Sequence, residues 1–212
     1  MTNYKIEIQN LVKFFGRRLI FQGIDFSFTS GNVYGISGPN GSGKSTIVKI
    51  IAGLISPTRG QVIHIYNEKK LNADQLHEQL GFVSPYLVLY DEFTAEENLE
   101  FSAKIRGLSF NPENSNQLLQ DFGLEKRKND LVRAYSSGMK QRLKFAFALL
   151  HQPKFLILDE PTSNLDNDGK ERVYKMIEKE KKDKLIIVAS NEEADLALCS
   201  SVLNLNDFKN KK

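Results

Sequence analysis

A single cysteine, Cys199, stands in the 212-residue sequence, so no internal disulfide can brace the fold. A reducing compartment suits that count, and the apolar stretch around Cys199 predicts burial rather than reactivity. No run of eighteen apolar residues is present to cross a bilayer as a helix, and the N-terminus lacks the charged, apolar and small-residue succession of a secretory leader. The expectation is a chain neither membrane-spanning nor secreted by that route. Internal repeats are missing, and low complexity is confined to the terminal lysines Lys209, Lys211 and Lys212. The net charge is only +3, and the charged stretch Lys175 to Lys184 has mixed sign, as on a solvated helix face, which gives no ground for nucleic-acid binding. What remains is a chain with 41% hydrophobic residues, enough for one sizeable core or two lobes that share a boundary.

Alternation in Tyr4-Lys5-Ile6-Glu7-Ile8-Gln9 and in residues 23–28 predicts an antiparallel β-layer, closed by the turn signal Thr29-Ser30-Gly31-Asn32. A turn at Ser56 to Gly60 precedes a strand from Gln61 to Tyr66. From about Thr94 to Leu150 the pattern is helical, opening on the capping box Thr94-Ala95-Glu96-Glu97. Two uninterrupted apolar runs, 154–159 and 184–189, read as buried parallel strands joined by a helix over about 168–182. The expected organisation is one domain, with residues 1–83 and 151–212 forming core and β-layer and about 84–150 a helical subdomain.

Between an apolar strand-like run, Asn32 to Ser37, and a helix-like run, Ile47 to Ala52, lies Gly38-Pro39-Asn40-Gly41-Ser42-Gly43-Lys44-Ser45-Thr46. It spells G-x-x-x-x-G-K-[ST], a phosphate-cradling loop in the setting that such a loop requires. Glycines let backbone N–H groups curl around a β-phosphate, and the following helix aims its positive dipole end at the same charge. Lys44 is expected to reach the β- and γ-phosphates and Ser45 to ligate Mg²⁺, so the chain binds a nucleoside triphosphate. The strand 154–159 ends in adjacent carboxylates, Asp159 and Glu160, where ligands sit in open α/β sheets. Alternation along a strand gives the pair different tasks: Asp159 to hold Mg²⁺ through a water, and Glu160 to reach the attacking water as general base or water orienter.

A third motif, Tyr135-Ser136-Ser137-Gly138-Met139-Lys140-Gln141-Arg142, resembles the L-S-G-G-Q signature of ATP-binding cassette (ABC) proteins. Tyr135, Ser137 and Met139 depart from it, whereas Ser136 and Gly138, expected nearest the γ-phosphate, remain. With Pro161 to Asp166 after the paired carboxylates, the motifs follow the order and spacing of that family over essentially the whole chain. The resemblance implies a P-loop NTPase (RecA-like) three-layer α/β core with an antiparallel β side layer and a helical subdomain. Phe15 matches the aromatic that stacks on adenine, and Leu165 and Asp166 match the loop that touches the opposite subunit. The implied activity is ATP and Mg²⁺ binding between two head-to-tail subunits, followed by hydrolysis, in a homodimer or heterodimer. Separate transmembrane permease subunits would be driven from the cytoplasmic face of the cell membrane, and the small subunit linked to haem export has a similar organisation. Two positions depart from the family: Pro85 stands where a glutamine is expected and Asn191 where a histidine senses the γ-phosphate. Asparagine can donate a hydrogen bond there but cannot carry charge, so turnover is expected to be slow. Alternatives are a binding-only subunit, a non-transport cassette acting on nucleic acid or ribosomes, and a small-molecule kinase. Against the last two stand the absence of a long insertion or second cassette and of an acceptor domain.

Overall fold

The computed structural model describes residues 3–209, and Lys211 and Lys212 of the lysine tail lie outside the described residues. Two sheets carry the fold. The first is antiparallel, formed by β1 (Tyr4–Phe15), β2 (Arg18–Thr29), β4 (Arg59–Tyr66) and β5 (Lys69–Lys70) in the order β2-β1-β4-β5. The second is parallel: β3 (Val33–Ser37), β6 (Leu80–Val83), β7 (Phe155–Asp159), β8 (Leu185–Ala189) and β9 (Ser201–Asn204), ordered β6-β7-β8-β3-β9.

The helices are α1 (Lys44–Ile51), α2 (Ala73–Gln79), α3 (Ala95–Ile105), α4 (Pro112–Asp121), α5 (Ser137–Leu149), α6 (Asn167–Glu180) and α7 (Glu193–Leu196). Because successive side chains on a strand point to opposite faces, the all-apolar strands of the parallel sheet serve two cores at once. Phe155, Ile157, Leu185 and Ile187 join α1 and the antiparallel layer. Leu156, Leu158, Ile186 and Val188 join Leu99, Leu119, Phe122 and Phe145 of the helical stretch. This is the three-layer α/β arrangement that the resemblance implies. The helical stretch shares its hydrophobic cluster with one face of the parallel sheet.

One buried polar group ties the layers. His64 of β4 meets the Ile51 carbonyl through Nε2 at 2.9 Å and the Tyr4 hydroxyl through Nδ1 at 3.1 Å. A carbonyl only accepts, so Nε2 carries the proton and the neutral ring accepts from tyrosine through Nδ1. Burial pushes the His64 pKa down to about 4. Tyr4 also stacks on Phe155, 5.5 Å between ring centroids, joining β1 to the strand that ends in Asp159.

The first two strands are twelve residues each, longer than the alternating segments suggest. The cause is a bulge between Ile8 and Leu11, where Asn10 adopts φ 46° and donates its N–H to Asp25 Oδ1 at 2.7 Å. An extra residue breaks the period-2 pattern while the ladder continues. The Thr94 capping box forms as the sequence suggests, with Thr94 and Glu97 bonding reciprocally. A further capping box at Asn72 and Gln75 starts α2, which the sequence reading passed over. Cys199 is half-buried rather than fully enclosed, and burial pushes its thiol up to about 11.

Candidate nucleotide site

The loop 38–43 connects β3 to α1 at the carboxyl edge of the parallel sheet, where β3 lies between β8 and β9. Gly43 precedes the helix with φ 108°, and a Cβ there would come within 2.6 Å of Ile20. Only glycine satisfies both the turn and the close approach of β2. The loop thus delivers Lys44 as the first helical residue, with its side chain 6% exposed.

Lys44 is the centre of the site. Its Nζ donates to the Gly38 carbonyl at 3.0 Å and to Asn191 Oδ1 at 2.8 Å, and pairs with Glu160 Oε1 at 3.3 Å. Asn191, just past β8, also donates through Nδ2 to Asn40 Oδ1 at 2.7 Å. Three chain segments far apart in sequence therefore meet at one ammonium. Glu160 points there because its backbone is turned back at φ 49°, a costly conformation for a residue with a Cβ. Its N–H donates to the Ala189 carbonyl at 2.8 Å, and its carbonyl accepts from the Ser163 hydroxyl at 3.0 Å.

Asp159 behaves differently, as strand alternation requires. It is fully buried, accepts from the Ser45 hydroxyl through Oδ1 at 3.3 Å, and leaves Oδ2 without a hydrogen-bond partner. Burial, the largest cause, and then the nearby Glu160 charge raise its pKa, while the Ser45 bond lowers it. A buried carboxylate oxygen left unsatisfied beside a serine hydroxyl is a pair of hard oxygen donors of the kind Mg²⁺ takes.

Beside these groups opens a cleft of about 650 Å³, lined by Phe15, Asn40, Gly41, Gly43 to Thr46 and Glu160, and also by Arg18, Ile20, Pro85, Tyr86 and Ser163. Phe15 is 52% exposed, so it is not a core residue, and the Lys13 ammonium lies over its ring at 4.8 Å. A family model described as ABC transporter matches residues 21–163. The chain belongs to the ABC transporter family.

Among ABC relatives, SrtF of Streptococcus pyogenes, a lantibiotic transport ATP-binding protein, is 36% identical over 203 residues, covering 96% of this chain and 84% of SrtF. YxlF of Bacillus subtilis, an uncharacterized ABC transporter ATP-binding protein, is 36% identical over 188 residues, covering 88% of this chain. The chain spans 62% of the length of YxlF. A solved structure of a putative ABC transporter ATP-binding protein from Pyrococcus furiosus superposes with a TM-score of 0.83 at 26% identity, covering 97% of this chain and 100% of that one.

Gly38, Pro39, Ser42, Asp159 and Asn191 are not part of the cleft lining, and neither are the signature residues. Ser136 caps α5 by accepting the Met139 N–H at 3.2 Å, and a Cβ on Gly138 would sit 3.0 Å from the Asn164 carbonyl. Two of the three signature departures have packing reasons: Tyr135 is buried with its hydroxyl donating to the Arg127 carbonyl at 2.7 Å, and Met139 packs on the helical cluster, while the exposed Ser137 has none. Asp166 caps α6 through Gly169 N–H at 2.8 Å. At the glutamine position Pro85 does line the cleft, but its carbonyl accepts from Lys144 Nζ at 3.0 Å, as the Ser84 carbonyl does at 3.2 Å. Lys144 belongs to α5, and the sequence reading passed over it. Tyr86, the next residue, lies under the Lys49 ammonium at 4.5 Å.

Proposed function

We propose that the chain is an ATP-binding and ATP-hydrolysing subunit of a membrane ABC transporter, coupling ATP-driven dimer closure to movement of separate transmembrane subunits. The single observation that carries this reading is that Lys44, Ser45 and Glu160 line one cleft, with Asn191 bonded to Lys44 and the buried Asp159 bonded to Ser45.

On ATP binding, Lys44 exchanges its contacts with Asn191 and Glu160 for the β- and γ-phosphates, a charge-assisted replacement of one set of oxygens by another. Phe15 offers its exposed ring to the base. Ser45 and Asp159 would hold Mg²⁺, which would neutralise charge on the phosphate oxygens. Glu160, freed from Lys44, orients the attacking water and takes its proton. Asn191 then turns its amide donor to the γ-phosphate, where it stabilises without carrying charge. Ser136 and Gly138 close on the nucleotide of a second cassette, which is why they stand away from this chain's own cleft. The working assembly is a homodimer or heterodimer at the cytoplasmic face of the membrane. Among the described residues no helix is long and apolar enough to cross it.

Steady-state Mg-ATP hydrolysis measured over a range of protein concentrations, with Glu160→Gln as control, tests this. A rate per subunit that climbs with concentration and vanishes in the variant is the expected result. Tight ATP binding without hydrolysis at any concentration would instead mark a binding-only subunit, consistent with the loss of a side-chain oxygen at Pro85.

A further inference from the structure

Behind the nucleotide cleft lies a second polar cluster that the motifs do not include. Its centre is Asp195 of α7, 1% exposed. Oδ1 accepts from the Tyr174 hydroxyl at 2.9 Å, Oδ2 from the Ser190 hydroxyl at 2.7 Å, and both oxygens from the Thr162 hydroxyl at 3.0 Å. These hydroxyls come from three elements: the turn after β7, the helix α6 and the end of β8. Burial first, and then Asp195, push the Tyr174 phenol up to about 12, so it stays a donor.

The positions of the donors matter more than their number. Thr162 follows Glu160 by two residues, and Ser190 immediately precedes Asn191. The Ser190 hydroxyl in turn accepts the Glu192 N–H at 3.0 Å, so the backbone is held on both sides of Asn191. A small apolar side chain would occupy this space without the cost of burying a carboxylate. A carboxylate gives what an apolar side chain cannot: it accepts only, so each hydroxyl that faces it is fixed in direction.

We propose that Asp195 is a positioning residue of the nucleotide site, setting where Glu160 and Asn191 stand against Lys44 and the terminal phosphate through Thr162 and Ser190. This rests on the nucleotide reading given above. Asp195 itself touches no ligand. Its effect falls on interactions made only with the γ-phosphate, because the P-loop contacts that hold the other phosphates are built on β3 and α1.

Calorimetric titration with Mg-ATP and with Mg-ADP separates the possibilities, using the parent, Asp195→Asn, Ser190→Ala, Thr162→Val and Thr162→Ser. The expected result is a preference for ATP over ADP that falls about tenfold in Asp195→Asn and Thr162→Val, the worth of one misplaced hydrogen bond to a charged group. Thr162→Ser, which keeps the hydroxyl, retains the preference, and ADP affinity stays within about twofold throughout. The proposal is overturned if the preference is unchanged in Asp195→Asn, Thr162→Val and Ser190→Ala. It is equally overturned if ATP and ADP affinities fall together in step with melting temperature, which is what a merely structural role produces. A parent that binds neither nucleotide defeats the nucleotide reading itself before any variant is compared, whereas a parent that binds both alike keeps that reading and overturns the proposal, since there is then no γ-phosphate preference for Asp195 to set.

Discussion

Replacing Asp159 with asparagine is expected to stabilise the nucleotide-free protein while removing its response to Mg²⁺. The carboxylate is fully buried with one oxygen unpartnered, and leaving such a group unsatisfied costs about 1–3 kcal/mol. Asparagine keeps the shape and the bond from Ser45 and leaves a neutral amide instead of a charged oxygen without a partner, and because an unsatisfied buried charge costs more than an unsatisfied neutral group, the net gain is about 1–2 kcal/mol, of the kind seen when a functional group is removed from a strained site. In a chain of this size about 1 kcal/mol shifts Tm by roughly 2–4 °C, so scanning calorimetry in EDTA should show a rise of about 2–8 °C. The sign of the pH dependence follows from the raised pKa. Between 3.8 and the folded value the native state binds more protons than the unfolded one, so the parent loses stability as pH rises through that window. The gap between variant and parent is therefore full at neutral pH and closes on acidification. Titration of His64 and His151 is common to both proteins and cancels in the difference. Adding Mg-ATP at about 100 times its Kd stabilises the parent by about 2.7 kcal/mol and reverses the ranking. A variant that melts at or below the parent in EDTA at neutral pH would refute the reasoning.

Lys44→Ala removes the ammonium that gathers the site, and Mg-ATP affinity should fall by at least about 100-fold in a fluorescent-nucleotide titration; unchanged affinity would remove the P-loop assignment. Asn191→His is expected to raise hydrolysis at saturating ATP, whereas an equal or lower rate would mean that asparagine is not what limits turnover. Tyr4→Phe deletes the donor to His64 and should cost about 1–2 kcal/mol in urea unfolding, without altering ATP binding. Because the folded pKa of His64 is about 4 against 6.5 ordinarily, its contribution to stability is complete above 6.5 and is lost as pH falls towards 4. That loss, about 3 kcal/mol from 1.36 kcal/mol per unit, should disappear in a folded His64→Gln variant; an unchanged acid slope would contradict the buried neutral histidine.

Motifs whose chemistry depends on local spacing are legible in the sequence. The P-loop, the strand ending in Asp159 and Glu160, and the capping box at Thr94 all specify their geometry within a few residues. Elements with a broken period were harder to bound, as the bulge at Asn10 shows, and short α2 was missed despite its cap. Long-range side-chain partners were not legible. Lys144 meets the Ser84 and Pro85 carbonyls only because α5 packs on β6, and Asp195 meets Thr162 only because β7 and β8 are neighbours. The acidic run Glu192-Glu193-Ala194-Asp195 just past a buried strand was the available signal, since one acidic residue so close to a core edge needs donors.

The strand order also sets a timetable for synthesis. β1 and β2 can pair as soon as both have been made, but β3 takes its two neighbours from β8 and β9, near the opposite end of the chain. Until those strands arrive, the P-loop segment has no sheet beneath it, and Lys44 has no Asn191 to meet. Such non-local parallel pairing is slow and leaves apolar strand faces exposed meanwhile. Nucleotide capture therefore belongs to the last stage of folding, and a chain arrested before β8 would carry the entire P-loop motif without a site.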